Sequence, residues 1–235
     1  MNRSRPESVR LALPRRGGED VNVMDSSLRD GAHRLWRTLE SAAPESAALA
    51  SFLADWPATP PPPIRSTPLE ESAGQPLPVL RWLPRIAADP ERFGADFVTL
   101  LCGSAASLRW RQTYTLAQVG GRFLDNYGWA ELVSPGAMTG AAQISCGVLV
   151  LGPDTFYPPH RHEAEEIYLP LAGTAEWQQG DDAASWRRRS PGILIHHSSE
   201  EPHAMRTGEQ PLLAMYLWRS ADLRQGARLD RRSAE

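Results

Sequence analysis

The sequence predicts a mainly β protein in which a helical N-terminal region precedes a β-barrel or sandwich, and three observations support this fold class. From about residue 124 onward, short apolar or alternating runs are separated by Gly, Pro, Asn and Asp, as is typical of strands joined by turns. Before that point, apolar residues recur at helical spacing. Six or more short strands in succession favour a closed barrel or a sandwich with the helices against one side.

The helical region is predicted over residues 23–123, after a poorly ordered tail at residues 1–22. One helix follows Asp25 and Ser26, either of which could cap it, and a second helix follows Pro44. Their apolar positions are Leu28, Ala32, Leu35, Trp36 and Leu39 in the first helix, and Leu49, Phe52, Leu53 and Trp56 in the second.

A proline run separates these two helices from a third. The residues from Pro57 to Pro63 cannot continue a helix and predict an extended connector. The third helix is predicted to begin with Asp89 as its cap and Pro90 at its first helical position. Its apolar face is formed by Phe93, Phe97, Leu100 and Leu101.

The β region is predicted over residues 124–222, and residues 223–235 are predicted to form a C-terminal tail. The runs predicted as strands are AELVSP, AAQISCGVLVLGP, EEIYLPLAG, TAEWQQG, GILIHH and LLAMYLWRS. The sequence contains no internal repeat and no coiled-coil heptad pattern.

The composition argues against nucleic acid and membrane partners and leaves a small molecule as the expected ligand. The formal net charge is -3, with 25 basic and 28 acidic residues interspersed, so a strong field that would attract polyanions is missing. The two cysteines, Cys102 and Cys146, lie in apolar stretches, which fits reduced thiols and a cytoplasmic location. We expect neither a signal peptide nor a membrane span, because no apolar run is long enough.

A cluster of histidines and one glutamate predicts a metal site. In a strand, residues two apart share a face, so His160 and His162 point the same way, and Glu166 follows across a bend. Neutral imidazoles and a carboxylate suit Zn, Fe, Mn, Co or Ni, whereas an isolated HxH is more often a pair of surface or hydrogen-bonded histidines. Five of the six histidines fall between residues 160 and 203, which favours the metal site.

A third imidazole should come from a distant strand. Among His196, His197 and His203, we prefer His203, because it follows a loop and opens a new apolar run. Adjacent residues on a strand face opposite ways, so at most one of His196 and His197 points inward, and neither is assigned to the metal.

The pattern resembles the first cupin motif, G(x)nHxHxxxExxxxxxG, which is matched by Gly152, His160, His162, Glu166 and Gly173 with a longer gap after the first glycine. The second cupin motif is looser, because Pro191, Gly192 and His203 match it in kind but not in spacing. The resemblance implies a jelly-roll cupin β-barrel that holds one divalent ion, which we expect to be Zn, Fe or Mn.

Within the cupins the chain resembles the dimethylsulfoniopropionate (DMSP) lyase group. Three sequence segments carry the resemblance over roughly the last 110 residues, and they are FYPPHRHEAEEIYLPLAGTAEW, HHSSEEPHAM and LLAMYLWRSADL. The segment DNYGWAEL extends the resemblance. The resemblance implies that His160, His162, Glu166 and His203 bind the metal, that Tyr168 is the catalytic base, and that Tyr157 is a second pocket tyrosine with a catalytic role.

The implied reaction is a β-elimination that converts DMSP to dimethyl sulfide and acrylate. Aromatic faces attract the sulfonium cation, so Tyr157, Tyr216 and Trp177 are predicted to bind substrate. For Trp177, as for Trp129 and Trp218, core packing or the seam of a homodimer is the competing interpretation. For Tyr168, the competing interpretation is a buried aromatic whose hydroxyl braces Glu166.

Two other classes of function stay open at this point. Another cupin enzyme, such as an Fe(II) dioxygenase or an isomerase, could use the same ligands. A non-catalytic cupin module could bind a small ligand in the same site without turnover.

Overall fold

The computed structural model describes residues 27–28, 30–37, 47–54, 76–133, 143–223 and 225–230. The predicted tail at 1–22, the proline connector, Leu39 and Trp56 lie outside these residues, and the side chains of Leu49 and Leu53 are not described either. Within the described residues, the strands form two antiparallel sheets and the helices cover one of them.

Eleven strands make up the two sheets. They are β1 (Trp110–Arg111), β2 (Tyr127–Val133), β3 (Gln143–Leu151), β4 (Phe156–Arg161), β5 (Glu165–Ala172), β6 (Ala175–Gln179), β7 (Arg187–Arg189), β8 (Ile195–His197), β9 (His203–Thr207), β10 (Leu212–Ser220) and β11 (Arg228–Leu229). The six-stranded sheet has the order β1-β2-β3-β10-β5-β8, and the five-stranded sheet has the order β11-β4-β9-β6-β7. β11 lies in the segment predicted as a C-terminal tail and pairs with β4.

The alternation of side chains along the strands divides the interior into two apolar clusters. One cluster joins the inner faces of both sheets, where Tyr168 and Tyr216 from the six-stranded sheet meet Trp177 and Met205 from the five-stranded sheet. The other cluster joins the outer face of the six-stranded sheet to the helices. Both faces of β3, β5 and β10 are therefore buried, which explains why these runs are almost continuously apolar.

This arrangement confirms a mainly β fold with a helical N-terminal region. It also corrects one detail, because the strands of the described ranges form two separate sheets and do not close into one hydrogen-bonded barrel. A jelly roll takes this two-layer form when neighbouring strands at the corners diverge to opposite sheets.

Five α-helices are described on the N-terminal side. They are α1 (27–37, apart from residue 29), α2 (Ala47–Ala54), α3 (Leu83–Ala87), α4 (Ala95–Ser104) and α5 (Leu116–Leu124), and a 3-10 helix spans Pro78–Trp82. Among the predicted apolar positions of the first two helices, Leu28, Trp36 and Phe52 are fully buried in the cluster between the helices and the six-stranded sheet.

The predicted start of the third helix is wrong. The helix α4 begins at Ala95 after Gly94, so Asp89 and Pro90 precede it in a turn. The Asp89 carboxylate instead accepts hydrogen bonds from the backbone N–H groups of Glu91 and Gly173. The capping chemistry of Asp89 is therefore used to attach this turn to the end of β5, a contact that local sequence does not reveal.

The short helix α5 was not predicted, although the sequence contains its signal. The backbone N–H of Thr115 donates to the Gln118 side chain at 2.8 Å, which is one half of a capping box. Gly120 then adopts a φ of 76° inside the helix, and this interruption weakens the apolar period on which the prediction relied.

Both cysteines are free thiols, as expected. Among the described residues, no helix combines the length and the apolar character that crossing a bilayer requires.

Candidate metal centre

Three of the four predicted ligands meet inside the sandwich. His162 lies directly after β4, Glu166 follows the bend and enters β5, and His203 is the first residue of β9. One ligand atom from each of these three side chains lies within 4.8 Å of the others. All three side chains are almost completely buried, which is unusual for ionisable groups that have no bound partner.

The imidazoles are oriented as metal ligands are. Nδ1 of His162 lies 2.7 Å from the carbonyl oxygen of Ala164, and Nδ1 of His203 lies 2.9 Å from that of Glu201. A carbonyl oxygen only accepts, so each Nδ1 carries the proton and donates it. The Nε2 atoms are thereby left with free lone pairs, as in histidines that bind a metal.

The remaining atoms of the trio face one another in an arrangement that fits a cation. Nε2 of His162 lies 3.0 Å from Oε2 of Glu166, and Nε2 of His203 lies 3.4 Å from the same oxygen. With both imidazoles neutral, these three atoms all present lone pairs to one another. A proton on Nε2 of His162 relieves part of this repulsion by donating to Glu166, but Nε2 of His203 is buried and has no hydrogen-bond partner. The residues therefore fit a divalent ion, whose positive charge would remove this repulsion.

The ionisation of these groups is consistent with a cation at this point. Burial by itself raises the pKa of the Glu166 carboxyl, but the nearby charge and hydrogen bond of His162 outweigh burial and hold that pKa well below its ordinary value. For His162, burial lowers the pKa, and the Glu166 carboxylate outweighs it and raises the pKa. The trio thus keeps its carboxylate charged inside the protein.

His160 lies beside the trio and pairs with His203 across β4 and β9. Its Nδ1 also faces a backbone carbonyl oxygen, that of Pro158 at 2.9 Å, and its ring centroid lies 4.1 Å from that of His203. It falls outside the group whose ligand atoms approach one another within 4.8 Å. Its role as a fourth ligand stays a prediction.

His196 and His197 point in opposite directions, as expected for neighbours in a strand. His196 faces outward and lies 2.7 Å from the Glu165 carboxylate. His197 is fully buried, and its ring stacks on His203 with centroids 4.1 Å apart and planes 16° from parallel. Because lone pairs lie in the ring plane, two stacked imidazoles cannot share one ion in this arrangement, and His197 instead supports the His203 ring.

A cavity of about 470 Å³ reaches Glu166 of the trio. His160, Glu166 and Tyr168 form part of its wall. Tyr168 lies on β5 two residues beyond Glu166 and therefore on the same face. Burial is the largest cause that raises the pKa of Tyr168 well above its ordinary value, followed by the charge of Glu166.

The two other predicted pocket tyrosines also line this cavity. Tyr157 stacks on His160 with centroids 4.0 Å apart, and its hydroxyl lies 3.0 Å from that of Tyr114. Tyr216 lies opposite Tyr168 in the sheet. Gly147, its neighbour on β3, is required there, because an added Cβ would lie 2.4 Å from the backbone oxygen of Ala130 and 2.4 Å from the Tyr216 hydroxyl oxygen.

Trp177 takes a different position from the other candidates. It is 1% exposed, its ring centroid lies 4.9 Å from that of Tyr168, and it is not among the described residues that line the cavity. Trp218 does line the cavity and donates a hydrogen bond from Nε1 to Glu166 Oε1 at 2.5 Å. The alternation of residues in LLAMYLWRS could have indicated this position for Trp218, because Trp218 and the predicted pocket residue Tyr216 share a strand face.

Three comparisons with known proteins identify the family of this chain. The family model for DMSP lyase matches residues 64–214, which is more than half of the chain. The DMSP lyase DddQ of Ruegeria pomeroyi is 35% identical over 116 residues, which cover 49% of this chain and 57% of that protein. The chain thus spans little more than half the length of the curated relative that it matches.

Two solved structures match most of the chain. The crystal structure of DMSP lyase DddQ from Ruegeria pomeroyi DSS-3 matches with a TM-score of 0.67 and 28% identity, over 90% of this chain and all of that one. A structure described with the DMSP lyases RdDddP and RnDddQII matches with a TM-score of 0.66 and 27% identity, with the same coverage. Together with the family model, these matches show that the chain belongs to the DMSP lyase family.

Proposed function

We propose that this protein cleaves DMSP to dimethyl sulfide and acrylate by β-elimination, with Tyr168 as the base. The observation that carries the proposal is that Tyr168 lines the same cavity as Glu166, which belongs to the buried trio with His162 and His203. Membership of the DMSP lyase family supports the choice of substrate.

The elimination requires one base and a stabilised negative charge. The base takes the proton from the carbon next to the substrate carboxylate, the electron pair of that C–H bond forms the C=C bond, and the C–S bond breaks. Dimethyl sulfide leaves with the electron pair of the C–S bond, so water is not consumed. The difficulty is that the proton lies next to a group that is already negative.

Tyr168 can act as the base only if its phenolate is favoured. In the absence of a cation, burial and the Glu166 charge keep its pKa well above its ordinary value, so the hydroxyl stays protonated. A divalent ion, when bound, supplies the charge that offsets Glu166, favours the phenolate and offers a Lewis-acidic position for the substrate carboxylate. Glu166, His162 and His203 would hold that ion, with His160 proposed as a fourth ligand.

The aromatic residues of the cavity suit the sulfonium end of DMSP. Tyr157 and Tyr216 both contribute to the wall near Glu166. Their ring faces attract a cation, with an energy of about 0.5 to 2 kcal/mol in typical cases. Burial raises the pKa of both hydroxyls well above the ordinary value, so both rings stay neutral. We infer that Tyr157 and Tyr216 bind the substrate and that Trp177 supports Tyr168 from behind.

A direct assay tests the proposal. The protein is freed of metal with a chelator, loaded separately with Zn(II), Fe(II) or Mn(II), and incubated with DMSP. We expect dimethyl sulfide in the headspace and an equal amount of acrylate in solution with at least one ion, and none from the chelated protein. Metal-loaded protein that releases neither product with any of the three ions would contradict the proposal.

A second function is supported by the same ligands. Two histidines and one carboxylate with open positions are also the ligand set of non-haem Fe(II) oxygenases. The Fe(II) form would then consume oxygen with an organic acid substrate, and the Zn(II) form would be inactive. Oxygen uptake measured beside DMSP cleavage separates the two functions, because the elimination proceeds equally well without oxygen.

We also infer a cytoplasmic location, since both cysteines are free thiols and one of them, Cys146, is completely buried. The proposed partner is the small-molecule substrate. A homodimer stays a prediction, which sedimentation of the purified protein would test.

A further inference from the structure

Glu166 has two carboxylate oxygens, and the structure gives them different partners. Oε2 faces the two imidazoles, at 3.0 Å from Nε2 of His162 and 3.4 Å from Nε2 of His203. Oε1 accepts the hydrogen bond from the indole N–H of Trp218 at 2.5 Å. One oxygen is therefore directed to the ion position, and the other is directed away from it.

The sheet register sets this contact. Trp218 on β10 lies directly opposite Glu166 on β5, so both side chains emerge on the inner face of the sheet. The Trp218 ring also lies against His162, with centroids 4.4 Å apart and planes 34° from parallel. A single residue thus contacts two of the three ligands, one through a hydrogen bond and the other through its ring.

We propose that Trp218 is a positioning residue that makes Glu166 a monodentate ligand. A carboxylate with both oxygens free can bind an ion through both of them and so occupy two coordination positions. With Oε1 held by Trp218, Glu166 occupies one position and leaves another for the carboxylate of a substrate. The inference rests on the proposed metal site, and it adds what determines the coordination number there.

The test uses the metal alone, so it does not depend on DMSP. Protein freed of metal is titrated with Co(II), and both the dissociation constant and the visible absorption spectrum are recorded. Visible bands of Co(II) become weaker as the coordination number rises, so the spectrum reports whether Glu166 binds through one oxygen or two. Circular dichroism of each variant establishes that it is folded.

Two substitutions separate the N–H donor from the ring. Trp218→Phe keeps an aromatic ring and removes the donor, so we expect weaker Co(II) bands and binding weakened about 10- to 100-fold. Trp218→Gln places an amide N–H as many bonds from Cα as the indole N–H, so we expect a spectrum close to that of the native protein. Should the Phe variant not fold, Trp218→Met replaces it, because Met matches Gln in length and has no donor.

Trp129→Phe is the matched control. Trp129 lines the same cavity, but its indole N–H donates to Thr113 Oγ1 at 3.0 Å and not to a ligand. We expect this variant to keep the native Co(II) affinity and spectrum. If it changed them as much as Trp218→Phe does, the effect would come from the cavity in general and the inference would be overturned.

Three further outcomes count against the inference in different ways. A Trp218→Phe protein with the native affinity and spectrum overturns the positioning role and leaves the lyase proposal intact. The positioning role is also overturned if the Phe and Gln variants change equally, since the ring and not the donor would then be responsible. A native protein that binds no Co(II) overturns the metal site itself, and with it the inference.

Discussion

The two faces of β5 carry adjacent glutamates with opposite surroundings. Glu165 faces outward, where Arg219 lies 2.6 Å and His196 2.7 Å from its oxygens, with its side chain 26% exposed. Glu166 faces inward and is completely buried, next to His162, His203 and Trp218.

The difference shows how one strand serves both the fold and the site. Arg219 also donates to the backbone carbonyl of Ser51 and lies over the Phe52 ring. The outer cluster, formed by Glu165, His196 and Arg219, therefore attaches α2 to the sheet. Strand alternation puts the neighbours of these residues, Trp218 and Glu166, on the other face. The outer carboxylate receives hydrogen bonds from Arg219 and His196, whereas one oxygen of the inner carboxylate faces two imidazole nitrogens in an arrangement that fits a cation.

The largest expected effect comes from removing the inner carboxylate charge. In Glu166→Gln, a neutral amide replaces the charged ligand, so we expect metal affinity to fall more than about 100-fold, beyond the loss typical of changing a residue that only orients a ligand. Lyase activity should be lost with the metal. Metal analysis of dialysed protein and a DMSP assay measure both effects. Retention of one equivalent of metal by this variant would contradict the proposed ligand role.

The second effect separates chemistry from metal binding on the same inner face. In Tyr168→Phe the base is removed and the ring remains, so we expect kcat to fall about 100- to 10,000-fold. Metal content should stay at the native level, because Tyr168 is not in the ligand trio. If Tyr168 only braces Glu166, this variant should lose metal affinity and keep measurable turnover in excess metal.

The third effect compares two adjacent histidines on β8. His197→Ala removes the ring against which His203 stacks, so we expect metal affinity to fall about tenfold through looser orientation of that ligand. His196→Ala changes only the outer face and should alter the affinity less than twofold. Competition with a chromophoric chelator measures both constants. Equal losses in the two variants would show that the inner and outer faces are not separate.

The smallest effect concerns the outer carboxylate and depends on pH. Burial raises the pKa of Glu165, but hydrogen bonds from Arg219 and His196 outweigh it and lower the pKa below its ordinary value of 4.5. The stabilisation is therefore fully present above about pH 4.5 and is lost as the pH falls through the lower pKa of the folded state. Glu165→Gln should cost about 0.2 to 1 kcal/mol at pH 7.

Urea unfolding of the metal-free native protein and of Glu165→Gln at pH 7 and pH 3 measures this contribution. We expect the difference in the free energy of unfolding to shrink at the lower pH. A difference that grows at pH 3 would contradict the assigned direction, and a change in metal affinity would show that the outer cluster influences the inner site.

The sequence predicted the parts of the site that depend on local spacing. His162 and Glu166 lie on either side of one bend, so the HxHxxxE pattern was enough to place them together. His203 was also predicted, because it opens an apolar run, and the structure brings it to the other two. The start of α4 was predicted wrongly because Asp89 caps a turn that is held by Gly173, a residue distant in the sequence.

The sequence by itself determined the mainly β fold class, the resemblance to the DMSP lyase family and the identity of the candidate ligands. The fold class and the candidate ligands follow from residue type and from periods of two or 3.6 residues, which are local properties of the chain, and the resemblance follows from shared stretches of sequence. Only the tertiary structure decided that His197 lies inside and His196 outside, and that Trp218 meets Glu166. These contacts depend on the register between strands, which is set by the packing of the whole sandwich.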